Sequence, residues 1–597
     1  MQIMFNREKH KTLSGNISRM YISTSVSLII AELTSIIAVF VDGLLTSRFL
    51  GPDVYSGISV SMPLINVFFR IAGFLSAGCT IGCSRFVGAG KKNEANKVFN
   101  LTLALCAIIS IILVGACILF PEQLLTLCGV DLNKYPELQP HIFGYLNGYL
   151  LSIPSILFIT VMGQIIVMDN DSKLFTGSSV VVLVSDVIFD LLNIFIFHGG
   201  ALGMGLATSI ASIAQLLVLS LHFFKKDLYY KVSLKQVTFG FLPAFMRDGS
   251  PSLLKKVVST LGEILINRIT IMVAVTTAAL VAKGIQNDIY YILLSIPTGM
   301  SNALVSMAGI YYSADDRKGL RYLYSYAVKL GFTLCLIPSV LVFIAAPMIA
   351  RIYTNDPEAI SLTITSLKWL SIGLLCTTSI NLIESFQLGT QSIKHSNLFN
   401  LSERLIVPVA TCFILGRLYG SVGVLASYSI GEIIFLIIVF VSNCVKCKGI
   451  PKDWLDIMFL PKNFGGADSD NLYGTVITAE DAVRESENVR QFCLEHNISS
   501  KKANLLALYI EEMSIDAISR SKRDSDSPRI EFRLYIKNNN LLLSIMDLGS
   551  KFDPVSYYKL HGDEDLTRNI GLRTVVKTAK EVKYYNSFNS NNIMISL

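Results

Sequence analysis

Residues 174–197 read LFTGSSVVVLVSDVIFDLLNIFIF. The stretch is long enough to cross the roughly 30 Å hydrocarbon core of a bilayer, which takes about 20 apolar residues as a helix. Its only charged residues are Asp186 and Asp190. An acid at mid-membrane costs roughly 2.5–3.5 kcal/mol on insertion scales, so two in one span call for a reason. Their spacing of four places both carboxylates on one helical face. Adjacent carboxylates resist ionising together, so such a pair suits uptake and release of a proton, or binding of a small cation. Either step can be exchanged for movement of a substrate.

Similar stretches recur outward in both directions. The spacing predicts spans at about 21–41, 57–80, 98–120, 141–165, 174–197, 201–224, 252–278, 285–310, 323–346, 365–387, 398–417 and 420–444. Composition agrees: 52% of the 597 residues are hydrophobic and 16% charged, with mean hydropathy +0.53, far from the usual globular mix. The net charge of +7 lies between apolar segments rather than in a stripe, which argues against a nucleic-acid partner. The eleven Cys residues are scattered and outline no disulfide framework. Cys444-x-x-Cys447 at a helix end reads as incidental rather than metal-binding.

Loop charge sets the expected orientation. The polar start from Met1 to Arg19 carries Arg7, Lys9, Lys11 and Arg19, and a full-length span follows it directly, so no cleavable signal is expected. Alternate loops are basic: Arg85, Lys91, Lys92 and Lys97; Lys225, Lys226, Lys231, Lys235 and Arg247; Arg317, Lys318 and Arg321; Lys394 and His395. Loops between them hold Glu122, Asp131 and Glu137, or Asp356 and Glu358. The positive-inside rule then puts both termini in the cytoplasm, in a bacterial-type inner membrane. The halves also echo each other. Gly200-x-x-Gly203 with Leu206-Ala207-Thr208 is matched by Gly420-x-x-Gly423 with Leu425-Ala426-Ser427, and Gln164 to Phe175 by Gln387 to Phe399. Six-plus-six duplications of this type place the substrate site between the halves.

Other charges join the candidates. Asp42 lies near the end of the first span, and Glu263 and Glu384 are second-half counterparts. Arg70, Glu32, Glu403, Arg404 and Glu432 read as salt-bridged or interfacial. Prolines 63, 154 and 297 are expected to kink their helices.

Several motifs occur in a telling order: Val41-Asp42-Gly43, Arg48-Phe49-Leu50-Gly51-Pro52, Gly78, Arg85-Phe86-Val87-Gly88-Ala89-Gly90 with Glu94-Ala95, Ser185-Asp186-Val187-Ile188-Phe189-Asp190, and Gly200-x-x-Gly203 with Ala207-Thr208. Over about residues 15–445 the chain resembles the multidrug and toxic compound extrusion (MATE) family of cation-coupled exporters. The resemblance implies an all-α fold of twelve transmembrane helices in two six-helix lobes, forming a V around a central cavity. It implies efflux of drugs or other organic, often cationic, compounds against inward H⁺ or Na⁺. The family's first-lobe cation site falls on Asp42, Asp186, Asp190 and Thr208. The family usually has Asn where this chain has Asp186, and the extra carboxylate leaves H⁺ and Na⁺ both open. A flippase for lipid-linked saccharides is an alternative, which predicts a large basic cavity.

From about Lys446 the sequence looks like an ordinary water-soluble domain. The expected division is 1–20 N-terminal segment, 21–224 first lobe, 225–251 linker, 252–445 second lobe, 446–475 linker with Pro451, Pro461 and Gly465-Gly466, and 476–597 soluble domain. Thr478-x-x-Asp481 opens a helix to about Glu495 as a capping box. Ser499 or Ser500 caps a second helix, with Leu505, Leu508, Tyr509 and Ile515 as its buried stripe. Ile530, Phe532, Leu534 and Ile536 alternate as a strand, Asn538-Asn539-Asn540 turns it into Leu541–Met546, and Gly571-Leu572 opens a third helix before strands Val582–Tyr585 and Asn592–Leu597. This is an α+β sandwich. Glu512 and Asp516 share a helical face, Asp547-x-Gly549 ends a strand, and Asn569-Ile570-Gly571 brings N–H groups to a helix start, a natural phosphate site.

The order and spacing resemble the histidine-kinase-like ATPase fold, especially its anti-sigma-factor kinase branch. The resemblance implies that ATP sits on Asp547, Gly549 and Gly571, that Asp516 holds Mg²⁺, and that Glu512 is the catalytic base if the domain is active, as a serine/threonine kinase. It departs at 516, usually Asn, and near 569, usually Gly. The domain then offers a regulatory protein a place to act. A membrane-anchored kinase or regulator is the competing reading. With no G-x-x-x-x-G-K-[ST] motif in the sequence, ATP is expected to modulate transport rather than drive it.

Overall fold

The computed structural model describes residues 15–597 except 129, 131, 133–135, 227, 274–276, 451–459, 461–463, 524–528, 538, 539 and 561–569. Arg7, Lys9, Lys11, Asp131, Pro451, Pro461, Asn538, Asn539 and Asn569 therefore lie outside the described residues.

The first half forms α1 (Gly15–Leu45, running on through a π-helical turn to Leu50), α2 (Pro52–Gly88), α3 (Lys92–Leu119), the short α4 (Pro121–Leu127), α5 (Gln139–Tyr149), α6 (Ser152–Met168), α7 (Ser172–Leu192) and α8 (Gly200–Ser220). The second half forms α9 (Leu242–Val273), α10 (Thr277–Ser313), α11 (Arg317–Tyr353), α12 (Pro357–Gly389), α13 (Ile393–Leu401) and α14 (Val407–Cys447). Among the described residues nine helices are long and apolar enough to cross a membrane. The count is ten if the pair Pro136–Tyr149 and Ser152–Met168, bent by 50°, is one span. Twelve is not reached by that measure, for physical reasons. Lys256, Glu263 and Arg268 make α9 too charged, and the eleventh and twelfth predicted segments share α14, broken at Gly420.

The expected duplication has a backbone counterpart. Gly200 and Gly420 both take left-handed φ, +56° and +60°, which glycine adopts without steric cost. The turns that precede α7 and α13 each hold one left-handed residue, Asn170 and Gln391.

Each half packs mainly on itself, and the halves meet where α1 and α2 face α9 and α10. Small residues let the backbones approach. A Cβ on Gly88 would lie 2.3 Å from the Ile310 carbonyl oxygen, and one on Gly309 2.2 Å from Ser84 Oγ. Tyr21 donates its hydroxyl to the Met300 carbonyl at 3.0 Å. The lobes are therefore closed on each other at the end that carries the N-terminus. Toward the far end of α1, Val39 and Phe40 are exposed.

The remaining chain folds as β1 (Asn471–Val476), α15 (Ala479–Glu495), α16 (Ser500–Arg523), β2 (Ile530–Lys537), β3 (Asn540–Asp547), α17 (Pro554–Leu560), α18 (Ile570–Thr578), β4 (Glu581–Ser587) and β5 (Ser590–Ser596). The sheet is antiparallel, in the order β1-β2-β3-β5-β4. The Thr478–Asp481 capping box is present. Two expectations need correction. The stretch read as linker, 446–475, contains most of β1, and the buried stripe of α16 is Ala503, Leu506, Tyr509, Ile510, Met513 and Ala517. Leu505 and Leu508 are only partly buried and Ile515 is exposed, because the 3.6-residue phase that meets the sheet runs through 503, 506, 510, 513 and 517.

One sheet face packs under the helices, with Ile530, Phe532, Leu534 and Ile545 inside. The alternate residues of β2 should be wet, yet Glu531, Arg533 and Tyr535 are also buried. They face the end of the bundle. Asn16 donates its backbone N–H to Glu531 at 3.3 Å, and Arg533 donates to the Ala314 carbonyl at 3.2 Å. Tyr473 reaches Asp316 at 3.1 Å, and Lys537 pairs with Asp315 at 2.7 Å. At the other edge, Ser587 donates to the Met168 carbonyl at 2.8 Å, and Asn170 bonds Asn586 and Asn589. The sheet thus touches both halves.

Candidate functional site

The acids of the first half are positioned by three helices. Asp186 and Asp190 lie one turn apart on α7, Asp42 near the end of α1, and Thr208 on α8. The three carboxylates interact electrostatically with one another, and Thr208 lies within hydrogen-bond reach of Asp186. Tyr145 and Tyr149 of α5 face Asp42 and Asp186 from the side. Thr46 donates to Asp42 Oδ1 at 3.3 Å. Asp190 is 1% exposed, and neither of its carboxylate oxygens has a partner; Asp186 Oδ1 also lacks one. A buried carboxylate without a donor is strongly disfavoured when ionised. The cluster is therefore stable with protons on it, or with a cation between its members. Among the described residues no group of three Asp, Glu, His or Cys side chains is arranged to hold a metal ion.

The second-half acids are differently placed. Glu384 is buried and paired with Lys255 at 2.6 Å. Glu263 is exposed. Glu432, fully within the helices, accepts from Thr377 at 2.7 Å, and Glu403 pairs with Arg404 at 2.5 Å. Arg70, read from sequence as salt-bridged or interfacial, has no ion pair among the described residues: it donates to the Lys256 carbonyl at 2.8 Å and to the Thr260 hydroxyl.

One polar network escaped the sequence reading. His222 bonds Asp171 at 2.9 Å and Asp169 at 3.2 Å, Lys225 pairs with Asp171 at 2.5 Å, and Asp169 also accepts from the Tyr229 and Tyr230 amides. Burial raises the Asp171 pKa, but Lys225 and His222 outweigh it and hold the carboxyl below its ordinary value. The signal was Asp169-Asn170-Asp171 in an otherwise basic set of loops.

In the C-terminal domain the named residues do come together. Asp547 accepts from the Gly549 amide at 2.9 Å and from Asn591 at 2.9 Å. Glu512 packs against the start of α18, where a Cβ on Gly571 would lie 1.8 Å from its carboxylate. Asp516, however, pairs with Arg520 at 3.0 Å, and Arg520 extends to Asp547 at 3.6 Å and lies over the Phe552 ring. As arranged, the donors do not fit Mg²⁺-ATP, because the Arg520 guanidinium stands between Asp516, expected to take the metal, and Asp547, expected to take the nucleotide.

The apolar spans, the two halves meeting around a mid-bundle junction and the buried acids define a multi-pass membrane transporter fold. A sequence model of the MatE family matches residues 26–192 and 251–414, more than half of the chain. The chain belongs to the MatE family. It is 22% identical over 384 residues to a protein named FAD transporter from Shewanella oneidensis, covering 62% of this chain and 80% of that one. A MATE structure in complex with MaL6 aligns with TM-score 0.67 at 20% identity, over 73% of this chain and 98% of that chain. A multidrug resistance MATE family transporter in an outward-facing conformation gives TM-score 0.67 at 20% identity, over 73% and 97%. A MOP superfamily transporter from Pyrococcus furiosus gives 0.66 at 20%, over 73% and 97%. These likenesses concern the fold. The family match ends at residue 414, so the C-terminal domain lies outside it.

Proposed function

We propose that the protein is a secondary active exporter in which entry of H⁺ or Na⁺ at Asp42, Asp186, Asp190 and Thr208 drives efflux of a small organic compound. The observation that carries this is Asp190, buried with both oxygens unpartnered beside two further acids. Such a cluster alternates between a protonated or cation-bound state and an empty one, and the two states favour different lobe arrangements. Glu263 and Glu384 act as supports in the second half, since Glu384 is already neutralised by Lys255.

In this reading the chain has twelve spans in two lobes, 21–224 and 252–445, with the intervening 225–251 and both termini cytoplasmic, in a bacterial inner membrane. Basic loops support that orientation. The C-terminal domain is regulatory. Its contacts with Asn16, Met168 and Ala314–Asp316 tie both lobes at their closed end, and alternating access requires that end to open. Nucleotide binding at Asp547, Gly549 and Gly571, with Mg²⁺ on Asp516 and Glu512 as base, requires Arg520 to swing aside first. Kinase action on a partner protein would require the same.

The test is dye efflux from everted vesicles under an imposed ΔpH or Na⁺ gradient, with FAD included in the panel because a relative is named for it. Wild type should export and Asp190→Asn should not. Efflux that ignores both gradients refutes ion coupling. Glu512→Ala should leave coupling intact and change only its regulation.

A further inference from the structure

Apart from the acids of the first lobe, the fold brings four cations together where the lobes meet. Arg70 lies midway along α2, Lys255 and Lys256 midway along α9, and Arg404 in the π-helical turn before α14. Two of the four are neutralised: Lys255 by Glu384 at 2.6 Å and Arg404 by Glu403 at 2.5 Å. The other two are not. Arg70 donates to a backbone carbonyl and a hydroxyl, neither of which cancels its charge. The Lys256 ammonium makes no hydrogen bond or ion pair among the described residues. Lys255, Arg70 and Arg404 repel it, and Glu32 is the acid whose charge it feels. Glu32 in turn accepts from Asn302 at 3.3 Å. Lys256 is exposed, at the lobe junction and with charges from both lobes around it.

Uncompensated cations in the middle of a membrane protein are costly and face cavities or pathways rather than lipid. Two adjacent ones, with a single acid nearby, lack an anion. Arg70 offers a planar fork and Lys256 a mobile point charge, a pairing that suits a phosphate or carboxylate. We propose that the chamber between the lobes binds an organic anion, its phosphate or carboxylate docked between Arg70 and Lys256. The inference rests on the transporter reading, because it assigns the cargo of that path. Arg70 belongs to one lobe and Lys256 to the other, so the docked anion spans the junction and its affinity changes as the lobes separate. This is the polarity opposite to the often cationic cargo that the family resemblance implies.

The test uses the purified full-length chain and equilibrium dialysis, without any gradient, so failure of ion coupling leaves the result readable. The probes are fluorescein, an anionic xanthene dye, and rhodamine 123, its cationic relative. Wild type should bind fluorescein in preference. Arg70→Gln and Lys256→Gln should each weaken fluorescein binding about tenfold and leave rhodamine 123 binding unchanged or tighter. Lys256→Arg should restore fluorescein binding, which a merely structural role would not predict. Displacement of fluorescein by riboflavin 5′-phosphate marks a soluble cargo. Displacement only by dioctanoyl phosphatidic acid marks a lipid headgroup, as a saccharide flippase would need. Preference for rhodamine 123, equal loss of both dyes in the variants, or binding of neither dye at millimolar concentration overturns the proposal.

Discussion

Docking of the C-terminal sheet should depend on pH through Glu531. This carboxyl lies on the bundle-facing side of β2, 5% exposed. Burial there raises its pKa from 4.5 to about 7, although Arg529 at 3.0 Å and the Asn16 amide both pull it down and Asp316 pushes it up. In an undocked domain that sheet face is wet and Glu531 regains its ordinary value. The docked state therefore holds the proton more tightly. Docking is strongest below about pH 4.5, weakens as pH rises toward about 7, and is flat above that. The full span is about 3 kcal/mol, taking 1.36 kcal/mol per unit. From pH 6 to pH 8 the loss is about 1.4 kcal/mol, roughly a tenfold change in the docking equilibrium. Glu531→Gln keeps an acceptor for Asn16 and has no proton to lose. It should remove the pH dependence and tighten docking at pH 8. Hydrogen exchange of the Asn16 amide, which Glu531 accepts only in the docked state, reads this in the full-length protein once corrected for intrinsic rates. Protection that is flat from pH 6 to 8, or that grows with pH, refutes the reasoning, as would an unchanged profile in Glu531→Gln.

Other outcomes follow from single contacts. Asp190→Asn should reduce gradient-driven efflux to background while the protein stays monodisperse by size exclusion, because an amide takes up no proton and brings no negative charge to balance a cation. Gly88→Val places a Cβ 2.3 Å from the Ile310 carbonyl and should destabilise the closed lobe junction by about 1–3 kcal/mol, seen as faster hydrogen exchange at residues 307–313. Arg520→Ala frees Asp516 and Asp547 and should raise Mg²⁺-ATP affinity at least about tenfold by calorimetry if the domain takes nucleotide, since a hydrogen-bonded charge pair is worth about 1.5–3 kcal/mol; no binding in either form would reduce the domain to a structural regulator. Asp481→Ala removes half of a capping box and should cost α15 about 1 kcal/mol, visible as faster exchange over its first turn.

Much of the molecule was legible in the chain alone. Apolar length, loop charge and the Gly200 and Gly420 echoes are local properties, and a bilayer leaves a hydrophobic stretch few options besides a helix. Asp186 and Asp190 announced themselves for the same reason: a charge inside such a stretch is costly wherever the helix ends up. The capping box and the alternation of β2 were equally local. The phase of α16 was not, because several apolar stripes run along it and the sheet selects one.

What the sequence could not supply was pairing. It marks Arg70, Lys255, Lys256 and Arg404 as charged but does not say which are neutralised: Lys255 takes Glu384 from another helix, while Arg404 takes its own neighbour Glu403. Only the packed lobes leave Arg70 and Lys256 without an acid of their own. The polar side of β2 likewise reads as solvent-facing until the bundle covers it, and Asp516 reads as a metal ligand until Arg520 pairs with it. Charge identity, span length and local turns were determined by the sequence itself, through the cost of each residue in its own segment. Charge balance was decided by the tertiary structure, because it is a sum over neighbours that only folding brings within a few ångströms.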